Sequence, residues 1–263
     1  MLIGHITDTH ITSPGTFLMG IVDTASALAR AVAALNRLDP SPDAIVLTGD
    51  LVESGAPVEY AHLRALLAPL RMPIFAIPGN HDARELMREA FIGDRYLPRQ
   101  GFLNFTIEDY PLRIVALDTL VPGEGGGAVC SERLRWIDRI LSEAQDRPTL
   151  VLMHHPPFLT GISHMDRLGL DGRAALAEII RRHPQVERIA CGHLHRPIES
   201  RFAGTVAGTA PSTAHQIVLD FRPDARASFA FEPPGFQLHY WLEGADLVTH
   251  TVSIADWPGP YSY

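Results

Sequence analysis

The 263-residue sequence is poor in cysteine, in long apolar runs and in surplus positive charge. Two cysteines, Cys130 and Cys191, are too few for a disulfide framework, so a reduced, cytoplasmic protein is expected. No apolar stretch approaches the ~20 residues that cross a bilayer. The opening Met1-Leu2-Ile3-Gly4-His5 lacks the basic region of a secretion signal, so neither leader nor membrane association is expected. Thirty acidic residues against 22 basic ones give a net charge of −8, which argues against nucleic-acid polymers as partners. Repeats, low-complexity tracts and dividing linkers are missing too. With 46% hydrophobic and 20% charged residues, the chain reads as one globular domain over residues 1–263. One residue type is abundant: thirteen histidines.

Short apolar runs alternate with segments of helical period. Strands are expected at 2–7, 43–48, 73–77, 112–117, 149–153 and 188–191. Helices are expected at 24–38, 58–70, 131–145 and 173–182. Asp23 or Thr24 is the N-cap of the first helix. This alternation implies βαβ units, an α/β fold and mainly parallel strand packing. After Thr205 the runs shorten and prolines punctuate them. Residues beyond about 224 read as an antiparallel tail that closes a second sheet and covers the pocket or forms a subunit contact. Its aromatics, including Phe229, Phe231, Trp241, Trp257, Tyr261 and Tyr263, serve as core or interface. His5, His62, His183, His239 and His250 have no ligand neighbour and read as ordinary structural residues.

Ligands of open α/β sheets bind beyond the carboxyl ends of the strands. The strand ends here read Asp8-Thr9-His10, Gly49-Asp50, Gly79-Asn80-His81-Asp82, His154-His155-Pro156-Pro157 and Gly192-His193-Leu194-His195. Any one is an unremarkable turn, since Asp and Gly are turn formers. All five together would crowd imidazoles and carboxylates onto one edge, which is costly unless a cation neutralises them. Asp8, His10, Asp50, Asn80, His154, His193 and His195 give seven candidate ligands. Seven is too many for one ion and right for two that share a carboxylate. A donor set without thiolate suits Fe, Mn, Zn or Co. In Asp8-x-His10 and His193-x-His195 an extended segment would project both side chains to one side, to hold one ion or straddle two.

In this order the five blocks resemble the calcineurin-like metallophosphoesterase superfamily. Within it they look like the bacterial branch of glycerophosphodiesterases and class III cyclic nucleotide phosphodiesterases. The resemblance implies a four-layer αββα sandwich with two mixed β-sheets flanked by helices, and two divalent transition metal ions. Asp8, His10 and His195 would hold one ion, and Asn80, His154 and His193 the other. Asp50 would bridge them. His154 matches the ligand position, whereas His155 takes the place of an aromatic residue. His81 matches the catalytic histidine, with Asp82 as its orienting partner. Asn80, His81, His215, His155 and Phe17 are expected to contact substrate.

The implied activity is hydrolysis of small phosphodiesters such as glycerophosphodiesters, by in-line attack of a metal-bridging hydroxide. The alternative is a 3′,5′-cyclic nucleotide phosphodiesterase, and a remote one is a metal-binding module without turnover. Arg84 or Arg196 beside the pocket would shift its charge balance. Residues 13–22 are too apolar for a free surface loop, residues 160–168 follow the His154 strand, and both are expected as a lid or a subunit contact. A dimer or higher homo-oligomer is expected.

Overall fold

Strands whose every position is apolar must be covered on both faces, and helices with one apolar stripe supply one of those covers. The chain meets both demands. In the computed structural model, which describes all residues except 245, 256, 257, 260 and 263, two sheets pack face to face between two helical layers. Trp257 and Tyr263 lie outside the described residues.

The first sheet contains β1 (Leu2–Ile6), β2 (Ala44–Thr48) and β3 (Ile74–Ile77), all parallel. The second contains β4 (Phe105–Ile107), β5 (Arg113–Ala116), β6 (Thr149–Leu152), β7 (Val186–Cys191), β8 (Ile198–Phe202) and β9 (Thr205–Thr209). Strands β5, β6, β7 and β9 run parallel, while β4 and β8 lie antiparallel at its edges. Helices α1 (Thr24–Asn36), α2 (Pro57–Leu67) and α3 (Arg84–Ala90) cover the first sheet. Helix α4 (Ser131–Ser142), the short α5 (Ser163–Asp166) and α6 (Arg173–Ile180) follow, and α4 and α6 cover the second sheet.

Alternation along the strands builds the layers. On β2, Ile45 and Leu47 face the helices while Val46 faces the other sheet. On β6, Val151 faces the helices while Leu150 and Leu152 pack against Val46, Ile77 and Ile114. The four-layer α/β/β/α arrangement with two mixed sheets is therefore as expected. At α1, Asp23 is the cap: its carboxylate accepts from Ser26 N at 2.9 Å.

The C-terminal strands differ from expectation. They do not close a second sheet. Strand β10 (Gly235–Trp241) pairs antiparallel with β1, and β11 (Leu247–Ser253) pairs with β10, so both extend the first sheet. The open edge of β1 requires a backbone partner, and Phe236 of β10 inserts into the core under α1 and α2. Helix α3 and the β8–β9 hairpin carried no periodicity strong enough to be read. No described helix is long and apolar enough to cross a membrane.

Two histidines read as ordinary core residues meet inside this extension. His5 of β1 and His239 of β10 are fully buried, with Nδ1 of one 3.1 Å from Nε2 of the other. Their outer nitrogens reach Thr48 Oγ1 at 2.7 Å and Thr249 Oγ1 at 2.9 Å. Burial, then Arg188 nearby, pushes His5 down to about 3. Burial and the adjacent His5 hold His239 well below its ordinary value. The unfolded chain takes up these protons near pH 6.5 and the folded one refuses them, so stability is present above that pH and lost below it. Chemical denaturation is expected to show a smaller unfolding free energy at pH 5.5 than at 7.5, with a reduced difference in His239→Asn. A difference unchanged by that substitution would contradict the account.

Candidate metal centre

All five polar strand ends lie at the carboxyl edges of the two sheets, where the sheets face one another. Asp8 and His10 follow β1, Asp50 follows β2, and Asn80 and His81 follow β3. His154 follows β6, and His193 and His195 follow β7. The strand ends are tied together by backbone bonds: Asp8 N to Gly49 O at 3.0 Å, His10 N to Asp50 O at 2.9 Å and Gly192 N to His154 O at 3.0 Å.

The local backbone is not extended as the Asp-x-His and His-x-His spacing suggested. Asp8, His10, Asp50, His193 and His195 all have positive φ, between 42° and 72°. A residue with a Cβ pays roughly 1–2 kcal/mol to adopt this conformation. Five such residues in one cleft form a reservoir of strain of the kind found at functional sites. Glycine serves where even that is impossible. Gly49 has φ +94°, and a Cβ there would come within 2.6 Å of both Gly79 N and His154 Nδ1.

Hydrogen bonding fixes the imidazoles. His10 Nδ1 donates to Glu53 Oε2 at 2.8 Å and His195 Nδ1 donates to the His215 carbonyl at 3.2 Å. Both partners are acceptors only, so in the neutral rings each Nε2 carries a lone pair, and the two face one another at 3.1 Å. His154 repeats the pattern. Its Nδ1 donates to Thr48 O at 2.7 Å, which turns Nε2 toward Asn80 Oδ1 at 3.1 Å and Asp50 Oδ2 at 3.4 Å. His193 donates Nε2 to Leu168 O at 3.0 Å, leaving Nδ1 for the cleft.

The carboxylates complete the cluster. Asp50 Oδ2 lies 3.6 Å from His10 Nε2 as well as 3.4 Å from His154, between the two imidazole groups. Asp8 Oδ1 lies 3.5 Å from His195 Nε2, and both its oxygens accept from His193 N at 3.0 Å. Acceptors aimed at acceptors in a buried site require a proton or a metal cation between them. The donor set fits metal.

Protonation follows the same crowding. Burial pushes Asp8 up to about 6, and the neighbouring Asp50 adds to it. Burial would also raise Asp50, but His154 and His10 hold it well below the usual carboxylate range. Burial opposes a charged His154, yet the Asp50 and Asp8 carboxylates outweigh it and push the ring up to about 9. Burial and the nearby His154 bring His193 down to about 3.

A family model described as calcineurin-like phosphoesterase matches residues 1–197. The chain belongs to that family. A protein of Arcobacter nitrofigilis, named as a probable glycerophosphodiester phosphodiesterase GpdQ, is 38% identical over 264 residues, covering 100% of this chain and 97% of its own. A probable cyclic nucleotide phosphodiesterase of Rhodopseudomonas palustris is 35% identical, covering 95% and 91%. Among solved structures, a dimetal phosphatase from Danio rerio superposes with TM-score 0.69 over 97% of both chains at 16% identity, a likeness of fold.

Several site residues of this phosphoesterase stand elsewhere than the sequence suggested. Asp82 does not orient His81. Its carboxylate accepts from Gly79 N (2.9 Å), Leu51 N (3.1 Å) and Tyr60 Oη (2.9 Å), so it braces the turn that presents Asn80. Glu53 takes the orienting place: its carbonyl accepts from His81 Nδ1 at 2.7 Å while its carboxylate holds His10. Three residues beyond Asp50 at the same strand end, Glu53 was overlooked, although a carboxylate there is within reach of the cleft. His155 does not face substrate. It is fully buried, with Nδ1 against Thr119 Oγ1 (2.8 Å) and Nε2 against Gly125 O (3.3 Å), so neither nitrogen is spare.

Phe17 also turns away. Leu18 and Val22 exchange backbone bonds at 3.0 Å and pack inward, which leaves Phe17 on the outside of the turn. Arg84 is spent on Asp118, and Arg196 on Ile217 O and Glu232, so neither adds charge to the cleft. His215 does reach it: its ring centroid lies 4.6 Å from that of His195, with Phe229 packed behind at 5.1 Å.

Glu53→Gln is expected to weaken binding of divalent metal by about 10–100-fold, because the His10 ring loses its carboxylate partner. Isothermal titration of the metal-free protein with Mn²⁺ or Zn²⁺ measures this. Affinity equal to that of the unaltered protein would show that Glu53 does not support the site.

Proposed function

We propose that the chain is a metal-dependent phosphoric diester hydrolase whose substrates are small glycerophosphodiesters. One observation carries the reading: His10, Asp50, Asn80, His193 and His195 line the floor of a cavity of about 530 Å³ that no Lys or Arg lines, and Asp8 and His154 are buried against them. In this proposal Asp8, His10 and His195 hold one ion, Asn80, His154 and His193 the other, and Asp50 contacts both. The ligand set accepts Fe, Mn, Zn or Co. Such a pair supplies Lewis-acid stabilisation of phosphoryl oxygens and acidifies a water nucleophile. The name of the Arcobacter relative supports glycerophosphodiesters as the substrate class.

The side chains do the rest. All 22 basic residues are arginine, and none reaches the cavity. Asp8, Asp50 and Glu53 instead place three carboxylates at or beside its floor. A phosphodiester with one negative charge is therefore better matched than a dianionic monoester, for which a fixed side-chain cation would be wanted. With His81 Nδ1 given to Glu53 O, Nε2 is the nitrogen left for the cavity. With the ring in its doubly protonated form, its task would be to hand the Nε2 proton to the departing alkoxide as the phosphorus–oxygen ester bond breaks and water oxygen joins phosphorus, leaving the ring neutral with its proton on Nδ1. The His81 backbone N–H, bonded to Asp50 Oδ1 at 2.9 Å, fixes that ring relative to the floor.

We take residues 1–263 as one functional unit, because β10 is hydrogen-bonded into the sheet that carries Asp8 and Asp50. A reducing, cytoplasmic setting suits the free thiols of Cys130 and Cys191. A homo-oligomer, dimer or higher, suits the exposed Phe17 and Ile21, which stand outside the cavity.

Cyclic nucleotides are the second reading, supported by the name of the Rhodopseudomonas relative. Phe17 offers no base-stacking face at the floor, and Phe229 is the aromatic that does line the wall. A kcat/KM on cyclic AMP tenfold above that on sn-glycero-3-phosphocholine would reverse the order of the two readings.

Chelation is expected to abolish turnover of sn-glycero-3-phosphocholine and added Mn²⁺ or Co²⁺ to restore it. Full activity after exhaustive metal removal would refute the proposal. His81→Ala is expected to lower kcat by about 10²–10⁴ on this alkyl diester and much less on an aryl diester, whose leaving group needs no proton. Equal losses on both would assign His81 another role.

A further inference from the structure

Above its metal-binding floor the cavity is walled by hydrocarbon. Leu18 and Met19 come from the first loop, Met165 and Leu168 from the segment around α5, and Ile217 and Phe229 from the short strand pair after β9. Three stretches of chain, far apart in sequence, thus supply apolar side chains to the same wall. The polar groups above the floor are few. Glu53 is turned to His10 and His81, His215 packs on His195 and Phe229, and the Ser228 hydroxyl leans on Arg226 O at 3.4 Å.

The apolar surface continues outward. Met19 is 69% exposed at the rim. Phe231, 63% exposed, packs edge-on against Phe229, with ring centroids 6.0 Å apart. Apolar surface this contiguous costs solubility and marks a place where something apolar binds.

A diester that is polar at both ends leaves this wall wet. The free glycerol hydroxyls gain nothing from Leu18, Met165 or Ile217, and a hydroxyl pressed there would lose its water without a partner. Hydrocarbon gains at every methylene. The wall and the floor form one continuous cavity, so whatever covers the wall is attached to the phosphate that sits on the floor. We infer that the diester hydrolysed here carries an apolar chain, as a monoacyl or monoalkyl glycerophosphodiester does. The glycerol phosphate lies over the floor, its remaining hydroxyl near Glu53 and Ser228, and the chain runs along Leu18, Met165 and Phe229 toward Phe231. This rests on the phosphodiesterase reading and narrows its substrate class.

The test compares sn-glycero-3-phosphocholine with its 1-acetyl, 1-butyryl and 1-hexanoyl derivatives. All are used below their aggregation concentrations with metal-loaded enzyme. The expected result is a kcat/KM that climbs with each methylene, by about two- to fourfold where burial is complete. The hexanoyl compound should exceed the unacylated one at least tenfold. Met165→Ser and Phe229→Ser should flatten the series, read within each variant as the ratio of hexanoyl to unacylated kcat/KM. A flat or falling series in the unaltered enzyme overturns the inference, and needs no variant to do so. Inactivity on all four compounds would instead strike at the diesterase reading beneath it. If the Ser variants shift the oligomeric state in sedimentation and leave the series unchanged, the apolar wall is a contact between copies and the inference falls.

Discussion

Lone pairs that face lone pairs dominate this molecule. His10 and His195 present acceptor nitrogens to each other at 3.1 Å, and His154 presents one to Asn80 and Asp50, all out of water. Only an added proton or a bound cation relieves that repulsion, because the second nitrogen of each ring is already committed to Glu53, the His215 carbonyl or Thr48. The unfavourable geometry is held by what surrounds it. Two sheets fix five strand ends at one edge, and left-handed turns aim their side chains into the gap. Glycines at 49 and 79 allow chain segments to pass where no Cβ fits. The fold's stability is thus spent on preorganising a site for cations, as functional sites commonly require.

The outer partners of the ligands deserve equal weight. Glu53 links a metal-site imidazole, His10, to the cavity histidine, His81, through two different atoms. Asp82, buried and pushed up to about 6 by its burial and by Asp50, ties the Asn80 turn to β2 and to Tyr60 of α2. In the proposed mechanism metal affinity and proton transfer therefore share Glu53 as a support.

In the proposed reading, selectivity comes from parts of the chain that contribute no ligand. The loop at 13–22, the segment around α5 and the short strand pair after β9 build the walls above an ionic floor. With neither lysine nor free arginine at that floor, discrimination by charge is left to the ions, and discrimination by shape and hydrocarbon to the walls.

What the sequence determined by itself was chemistry and alternation. Runs such as Ala44–Thr48 and Thr149–Leu152 can only be strands covered on both faces, and the polar residues that end them could be named as ligands because burial without a cation would be too costly. What only the tertiary structure decided was which atoms face which. The family resemblance separates His154 from His155, and the structure supplies the physical difference: Thr48 O holds one ring and Thr119 the other. Asp82 beside His81 in sequence suggested a pair, yet the turn sends the two side chains apart and brings Glu53 in from another strand. The placing of β10 on β1, and of Phe17 outside the cavity while Leu18 points in, likewise came from contacts between residues remote in sequence or from a turn that periodicity does not encode. Local pattern sets what each segment can be, and long-range hydrogen bonds and packing set where each side chain points.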